Sequence, residues 1–417
     1  MHPRSRLCAL VLLLAPLAAA CSDDDSAAGD PGGAASARIA TGSSHSRCHR
    51  ERVGRRKPTA RHDRPWRVMA WRSAASARRP WRGSATASDV SRWSRTAGTV
   101  RTASGSRSAT IGVWVDVGSR DESPDHTGFA HLFEHLMFSG SVNIPSYDEP
   151  LQRVGGENNA FTSTDITNYY LSLPAANIET GFWLESDRML NLAFSENGLD
   201  VQRKVVVEEF KQSYLNQPYG DVWLKLKPLA YQQHPYQWNT IGKEIAHIEN
   251  AVMDDVRSFF QKHYAPQNAI LVVAGAVSLA DAKALAEKWF GPIPGGPAYQ
   301  RQLPQEPAQT APRQARTSAP VPLSALYKAY HMPARADERY YAVDLLSDVL
   351  GRGKSSRLHQ RLVKEQALFN NISASVTGSL DPGLLVISGK LNAGVDLATA
   401  DAAVEAVVAE LLAAEAS

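Results

Sequence analysis

Cysteine is scarce in this chain: Cys8, Cys21 and Cys48 are the three in 417 residues. Thiols so placed exclude a disulfide framework, and none has a zinc-finger spacing. Long apolar runs are lacking too. The run from Leu7 to Leu17 falls short of the roughly 20 residues that a membrane-spanning helix needs. Acidic residues almost vanish between 41 and 110, where sixteen arginines and Lys57 face only Glu51, Asp63 and Asp89. That block carries +14 and the rest of the chain −11, although the whole sums to +3. Core-forming material is not lacking: 43% of residues are apolar and 8% aromatic. This excludes wholesale disorder and leaves room for two or three domains.

The first 21 residues read as an address. Arg4 and Arg6 precede the apolar run, and Ala18-Ala19-Ala20 offers small residues for cleavage, so 1–21 is expected to be a signal peptide of an exported bacterial protein. Cys21, directly after the alanines, resembles a lipoprotein attachment site, although the usual Leu sits one place early at Leu17. Acylation there would anchor a soluble domain to the membrane in the periplasm. Residues 22–110 show no sustained period from about Ala35 to Thr110 and hold Trp66, Trp71, Trp81 and Trp93. A nucleic-acid-binding arm would gather its charge on one face; here the arginines scatter, so no nucleic-acid partner is expected. Four tryptophans also suit a disordered linker badly. Text rich in Arg, Ser, Ala and Trp is what a shifted frame in a GC-rich gene yields, and the stretch is read that way.

Periodicity begins at Ile111, where Val113, Val115 and Val117 alternate with Trp114 and Asp116 as in a half-buried strand. Helical spacing follows in TGFAHLFEHLMFSG, strand alternation in NNAFTSTDITNYYLSLP, and amphipathic helices in NIETGFWLESDRMLNLAF, DVQRKVVVEEFKQSYLNQ and AVMDDVRSFFQKHYA. The strand NAILVVAGAV and helix LADAKALAEKWFG close a first domain, 111–295. Residues 296–318 are rich in Pro and Gln and read as a linker. The pattern restarts over 319–417 and stops after a helix, as if a second domain were cut short. Strands and helices mixed without βαβ repetition predict an α+β fold, with helices packed on one side of each sheet.

Chemistry concentrates in His131-Leu132-Phe133-Glu134-His135. On a helix, i and i+4 share a face, so both imidazoles can reach one metal ion, and Glu134 beside them can take a proton from the metal's water. This is the inverted form of the zinc-protease helix. A third ligand is needed. In VQRKVVVEEF, Glu209 follows Val205 and Val206 at helical spacing and is expected on their apolar, inward face, whereas Glu208 falls on the polar side with Lys204. A carboxylate on a buried face needs a partner such as a metal, which selects Glu209. His234 and His263 read as loop and packing residues.

HLFEH and, farther on, VVVEE resemble the pitrilysin/insulinase family of zinc peptidases, as do GGENNAFTSTDITNYY, WLESDRM, NQPYG and HYAPQNAILVVAG. The resemblance runs from about Ile111 to the C-terminus. It implies two successive pitrilysin-like α+β domains, one Zn2+ per chain on His131, His135 and Glu209, and Glu134 as general base. It further implies a peptide or unfolded-protein substrate alongside Asn159, Ala160, Phe161 and Thr162, added as a strand to a sheet edge. Members work as a clamshell of two halves, so a second half or non-identical subunit is an expected partner. The other half usually supplies an Arg and a Tyr, whereas the comparable place here has Arg361 but Asn370. Gln202 stands where members often carry a glutamate. The rival reading is a non-catalytic subunit of the same fold. The strands that normally precede Ile111 are missing from the text, which predicts an exposed sheet edge.

Overall fold

The computed structural model describes residues 107–296 and 299–414, together with the backbone of 9–15 and 99–102. The cleavage site, the cysteines and nearly all of the Arg/Trp-rich stretch lie outside the described residues. The chain opens with β1 (Ala9–Ala15), β2 (Thr99–Thr102), β3 (Ser108–Val115), α1 (Phe129–Leu136), α2 (Asp148–Arg153), β4 (Glu157–Thr162) and β5 (Thr167–Pro174). Then come α3 (Ile178–Leu190), α4 (Glu196–Phe210), α5 (Val222–Ala230), α6 (Ile245–Glu249), α7 (Met253–His263), β6 (Ala269–Gly275) and α8 (Leu279–Phe290). The last elements are β7 (Arg313–Ser318), β8 (Ala325–His331), α9 (Arg339–Gly351), β9 (Phe369–Val376), β10 (Leu384–Leu391) and α10 (Leu397–Ala414).

Two five-stranded sheets result, in the orders β2-β6-β3-β5-β4 and β7-β1-β8-β10-β9. In the first, β3 pairs antiparallel with β6 and β5, β4 pairs antiparallel with β5, and β2 joins β6 in parallel. Alternation sets its two faces. Ile111, Val113, Val115, Tyr169, Leu171 and Leu173 point into a core shared with α1 and α3. On the other face Trp114, Phe161, Tyr170 and Ile270 stay 37–47% exposed. Helices therefore cover one side of this sheet.

The second sheet departs from that plan. Leu326, Tyr330 and Ile387 face α10, whereas Ala325, Ala329, Leu384 and Val386 face α5, which reaches over from the segment after α4. Both faces are covered because β8 is apolar on both: buried Ala325 and Ala329 are small enough to seat a helix.

Several boundaries differ from expectation. The boundary at 110 falls inside β3, and β2 precedes it; four residues of Thr-Val-Arg-Thr are too short to show a period. The end of the expected linker is β7, whose alternation is half-exposed against exposed rather than apolar against polar. NNAFTSTDITNYYLSLP is two strands, folded where the Ser163 N–H donates to Ile166 O at 2.8 Å. The backbone of β1, within the stretch expected to be an export signal, pairs parallel with β7 and antiparallel with β8. Cleavage after Ala20 would take that strand out of the sheet.

Candidate metal centre

Helix α1 starts at an unusual place. Its N-cap, Gly128, has φ +88° and no capping side chain of its own. The carboxylate of Glu122 supplies the cap, accepting from Gly128 N at 2.9 Å and Ala130 N at 2.8 Å. A Cβ on residue 128 would lie 2.7 Å from Ile241 O, so glycine is required there twice over. Burial drives the Glu122 carboxyl well above its usual range, against the pull of those two N–H groups. Leu132, Phe133 and Leu136 anchor the inner face of α1 in the core. The next-door turn is held by Thr127, whose Oγ1 lies 2.8 Å from His247 Nδ1 and accepts from Lys243 N at 2.9 Å.

With α1 fixed, His131 and His135 emerge on one side, their rings edge-to-face with centroids 4.8 Å apart. Helix α4, capped by Ser195 Oγ accepting from Gly198 N, crosses α1 and presents Glu209. Its Oε2 lies 3.6 Å from Nε2 of each histidine, and all three ligand atoms fall within 4.8 Å of one another. Among the described residues this is the one such group of three. A tetrahedral zinc with bonds of about 2.0–2.2 Å separates its ligands by roughly 3.3–3.6 Å, the spacing of Glu209 from each histidine. Charge fits as well. Burial lowers His131 to about 4 despite Glu209 nearby, which keeps it in the neutral form that binds metal. His135 is pulled down by burial but raised overall by Glu209, Glu134 and Gln202. Its hydrogen bond to His135 carries Glu209 below the usual carboxylate range, against burial.

Glu134 is buried beside the triad, and Thr162 Oγ1 donates to its Oε2 at 2.5 Å. Burial raises its pKa, opposed by that hydrogen bond. The expected residues of β4 divide by face. Ala160 and Thr162 look toward α1, while Asn159 and Phe161 occupy the open face, Phe161 edge-on to Trp114 at 5.9 Å. Asn159 Oδ1 accepts the Ala160 N–H at 2.8 Å. No described strand pairs with the outer side of β4.

Glu209 lies at the margin of the inner face of α4 rather than within it: Val206 is fully buried, but Val205 is 45% exposed and the Glu209 side chain 43% exposed. Glu208 pairs with Lys211 at 2.7 Å, not with Lys204. Gln202 touches His135 and reaches Ser139 Oγ at 3.5 Å, so it supports a ligand where the family often has glutamate. Arg361 is taken by Glu365 at 3.1 Å and Glu410 at 3.2 Å. His234 and His263 pack as expected: His234 Nδ1 caps a short turn at Tyr236 N, and His263 is buried against Phe259. Glu122 and Thr127 are not visible in the sequence: Glu122 caps α1 across an irregular loop with no motif, and Thr127 acts through His247, 120 residues on.

Residues 99–243 match the sequence profile described as insulinase (Peptidase family M16), and 250–416 the one described as peptidase M16 inactive domain. All four residues of the centre lie in the first. The zinc protease PqqE of Helicobacter pylori is 33% identical over 265 residues, 62% of this chain and 59% of that protein. The chain thus spans less than two thirds of that relative's length. The uncharacterized zinc protease YmxG of Bacillus subtilis is 30% identical over 286 residues, 68% of each chain. Among solved structures, a protease from Helicobacter pylori aligns with TM-score 0.67 at 30% identity, over 73% of this chain and 74% of that one. Pitrilysin shares the fold, with TM-score 0.60 at 20% identity over 75% of this chain but 34% of its own.

Proposed function

Because the chain belongs to the insulinase (M16) family of peptidases, with relatives named zinc proteases, we propose that it is a zinc-dependent metalloendopeptidase acting on peptides or small unfolded proteins. The observation that carries this is the convergence of His131, His135 and Glu209, with Glu134 against them. One zinc per chain is the stoichiometry that a single triad allows. Zinc held there supplies Lewis acidity toward the scissile carbonyl and brings water to a pKa of about 7. The Glu134 carboxylate takes the proton of the attacking water and returns it to the leaving amine. Thr162 Oγ1 holds that carboxylate in line, and Gln202 steadies the His135 ring.

The free outer side of β4 is where substrate would lie. A peptide added there as a strand is bound through its backbone, which favours extended, unfolded chains over folded ones. The uncovered apolar face bearing Trp114, Phe161, Tyr170 and Ile270 supports a second half or non-identical subunit closing over the site, since patches of this kind mark interaction surfaces. The N-terminal Arg4, Arg6 and apolar run support action outside the cytoplasm, with a lipid anchor at Cys21 as its membrane-bound form. The test is hydrolysis of an unfolded protein by the full chain. Wild type should cleave, a chelator should stop it, and Glu134→Gln should cut kcat by at least about a hundredfold. Cleavage undiminished in Glu134→Gln would refute the assignment of the base.

A further inference from the structure

A cavity of about 460 Å³ opens between the β4–β5 turn, α5 and the β9–β10 hairpin. Its position is set by the catalytic strand: Phe161 and Ser163, on either side of Thr162, both line it. The walls are aromatic, from Phe161, Trp223 and Tyr231, but the cavity also contains Lys227 and Arg335. Lys227 is unusual. It is partly buried, yet its ammonium's hydrogen bond is to a neutral group, Trp238 O at 3.1 Å. Among the described residues no carboxylate forms an ion pair with it. Burial brings its pKa down to about 8, only partly offset by Asp165 and Glu122 at longer range.

Asp165 also lines the cavity but is already spent. It accepts from the Tyr236 hydroxyl and from Leu380 N at 2.9 Å, and it pairs with Arg120 at 3.2 Å. Arg335 is exposed and gives one N–H to Gly378 O at 3.3 Å; among the described residues its guanidinium forms no ion pair. A desolvated cation without a counter-ion is costly, and an entering carboxylate would relieve that cost while its stem lies against the rings.

We infer that this cavity is a substrate subsite for a peptide carboxylate, from an acidic side chain or the C-terminus itself, held by Lys227 and Arg335. The inference rests on the peptidase reading. Strand geometry advances about 3.3 Å per residue, so the carboxylate belongs to a residue only a few positions from the bond cut.

Binding tests this separately from catalysis. The full-length Glu134→Gln chain, loaded with zinc, is titrated against fluorescein-labelled decapeptides in matched pairs. One set exchanges Glu for Gln at each position in turn; the other exchanges a C-terminal acid for an amide. At least one acidic peptide should bind about tenfold tighter than its neutral twin, and the set in which it occurs identifies the source of the carboxylate. Adding Lys227→Met should bring that ratio to within twofold, and adding Arg335→Gln should reduce it several-fold. Lys288→Met, an exposed cation of α8 paired with Glu179 and absent from the cavity lining, should leave it intact. If Lys227→Met does not fold, Arg335→Gln carries the comparison. Equal binding of all twins, or a preference that survives the cavity variants, would overturn the subsite. Cleavage by wild type without acidic preference defeats the subsite alone. Acidic preference without any cleavage supports the cavity and defeats the peptidase reading.

Discussion

Burial governs how single residues around the centre respond to pH and to substitution. His263 has almost no exposed surface and an Nδ1 without a hydrogen-bond partner among the described residues. Burial lowers its pKa to about 4, with Lys262 adding to the shift. A folded-state value below the unfolded one means that its stability contribution is complete above about pH 6.5 and is lost as pH falls toward 4. Denaturant melts at pH 7 and 4.5 should therefore show wild type losing about 2 kcal/mol more than His263→Phe; equal losses would contradict the assignment. The motif WLESDRM has a different residue-scale meaning. Arg188 pairs with Glu185 at 2.5 Å in the core, its guanidinium 4.6 Å from the Tyr147 ring and 4.5 Å from that of Tyr169. Tyr169 in turn bonds Tyr264, which packs on Phe133 of α1. Replacing Glu185 by Gln leaves the cation buried and should cost about 3–5 kcal/mol in equilibrium unfolding.

At the scale of elements, the metal centre depends on where α1 begins. Gly128 and Glu122 fix that start, so Glu122→Ala should cost about 1–2 kcal/mol of stability and weaken zinc binding measurably, although Glu122 touches no ligand. Zinc affinity equal to wild type in that variant would show that the cap does not position the helix. The two histidines were legible in sequence because HLFEH places them by helical spacing alone, and because β3 and α1 carry strong periods. What was not legible depended on long-range contact. Glu209 is half-exposed, so a burial argument could not truly single it out; only its approach to α1 does. The crossing of α5 onto the second sheet, the strand nature of 313–318 and the partners of Gln202 are likewise set by tertiary packing rather than by local pattern.

At the scale of the molecule, the two sheets are joined by a charged seam. Arg120, only 4% exposed, reaches Asp381 of the β9–β10 hairpin at 2.9 Å and Asp165 at 3.2 Å. Arg301 ties the connecting segment to Asp121 at 2.6 Å and Asp116 at 2.9 Å. Such a seam holds the candidate subsite in register with β4. Arg120→Met strips the counter-charge from buried carboxylates, and calorimetry should then resolve separate transitions for the two domains where wild type melts in one. A single transition in both would mean that apolar packing by α5 is sufficient to couple them.

Four side chains from two crossing helices, gathered around one divalent ion, are the centre of this account, and metal content tests it most directly. Mass-spectrometric zinc analysis of the purified chain should give close to one equivalent in wild type and in Glu134→Gln. His131→Ala and Glu209→Gln should retain almost none. Wild type without zinc, or Glu209→Gln holding a full equivalent, would contradict it.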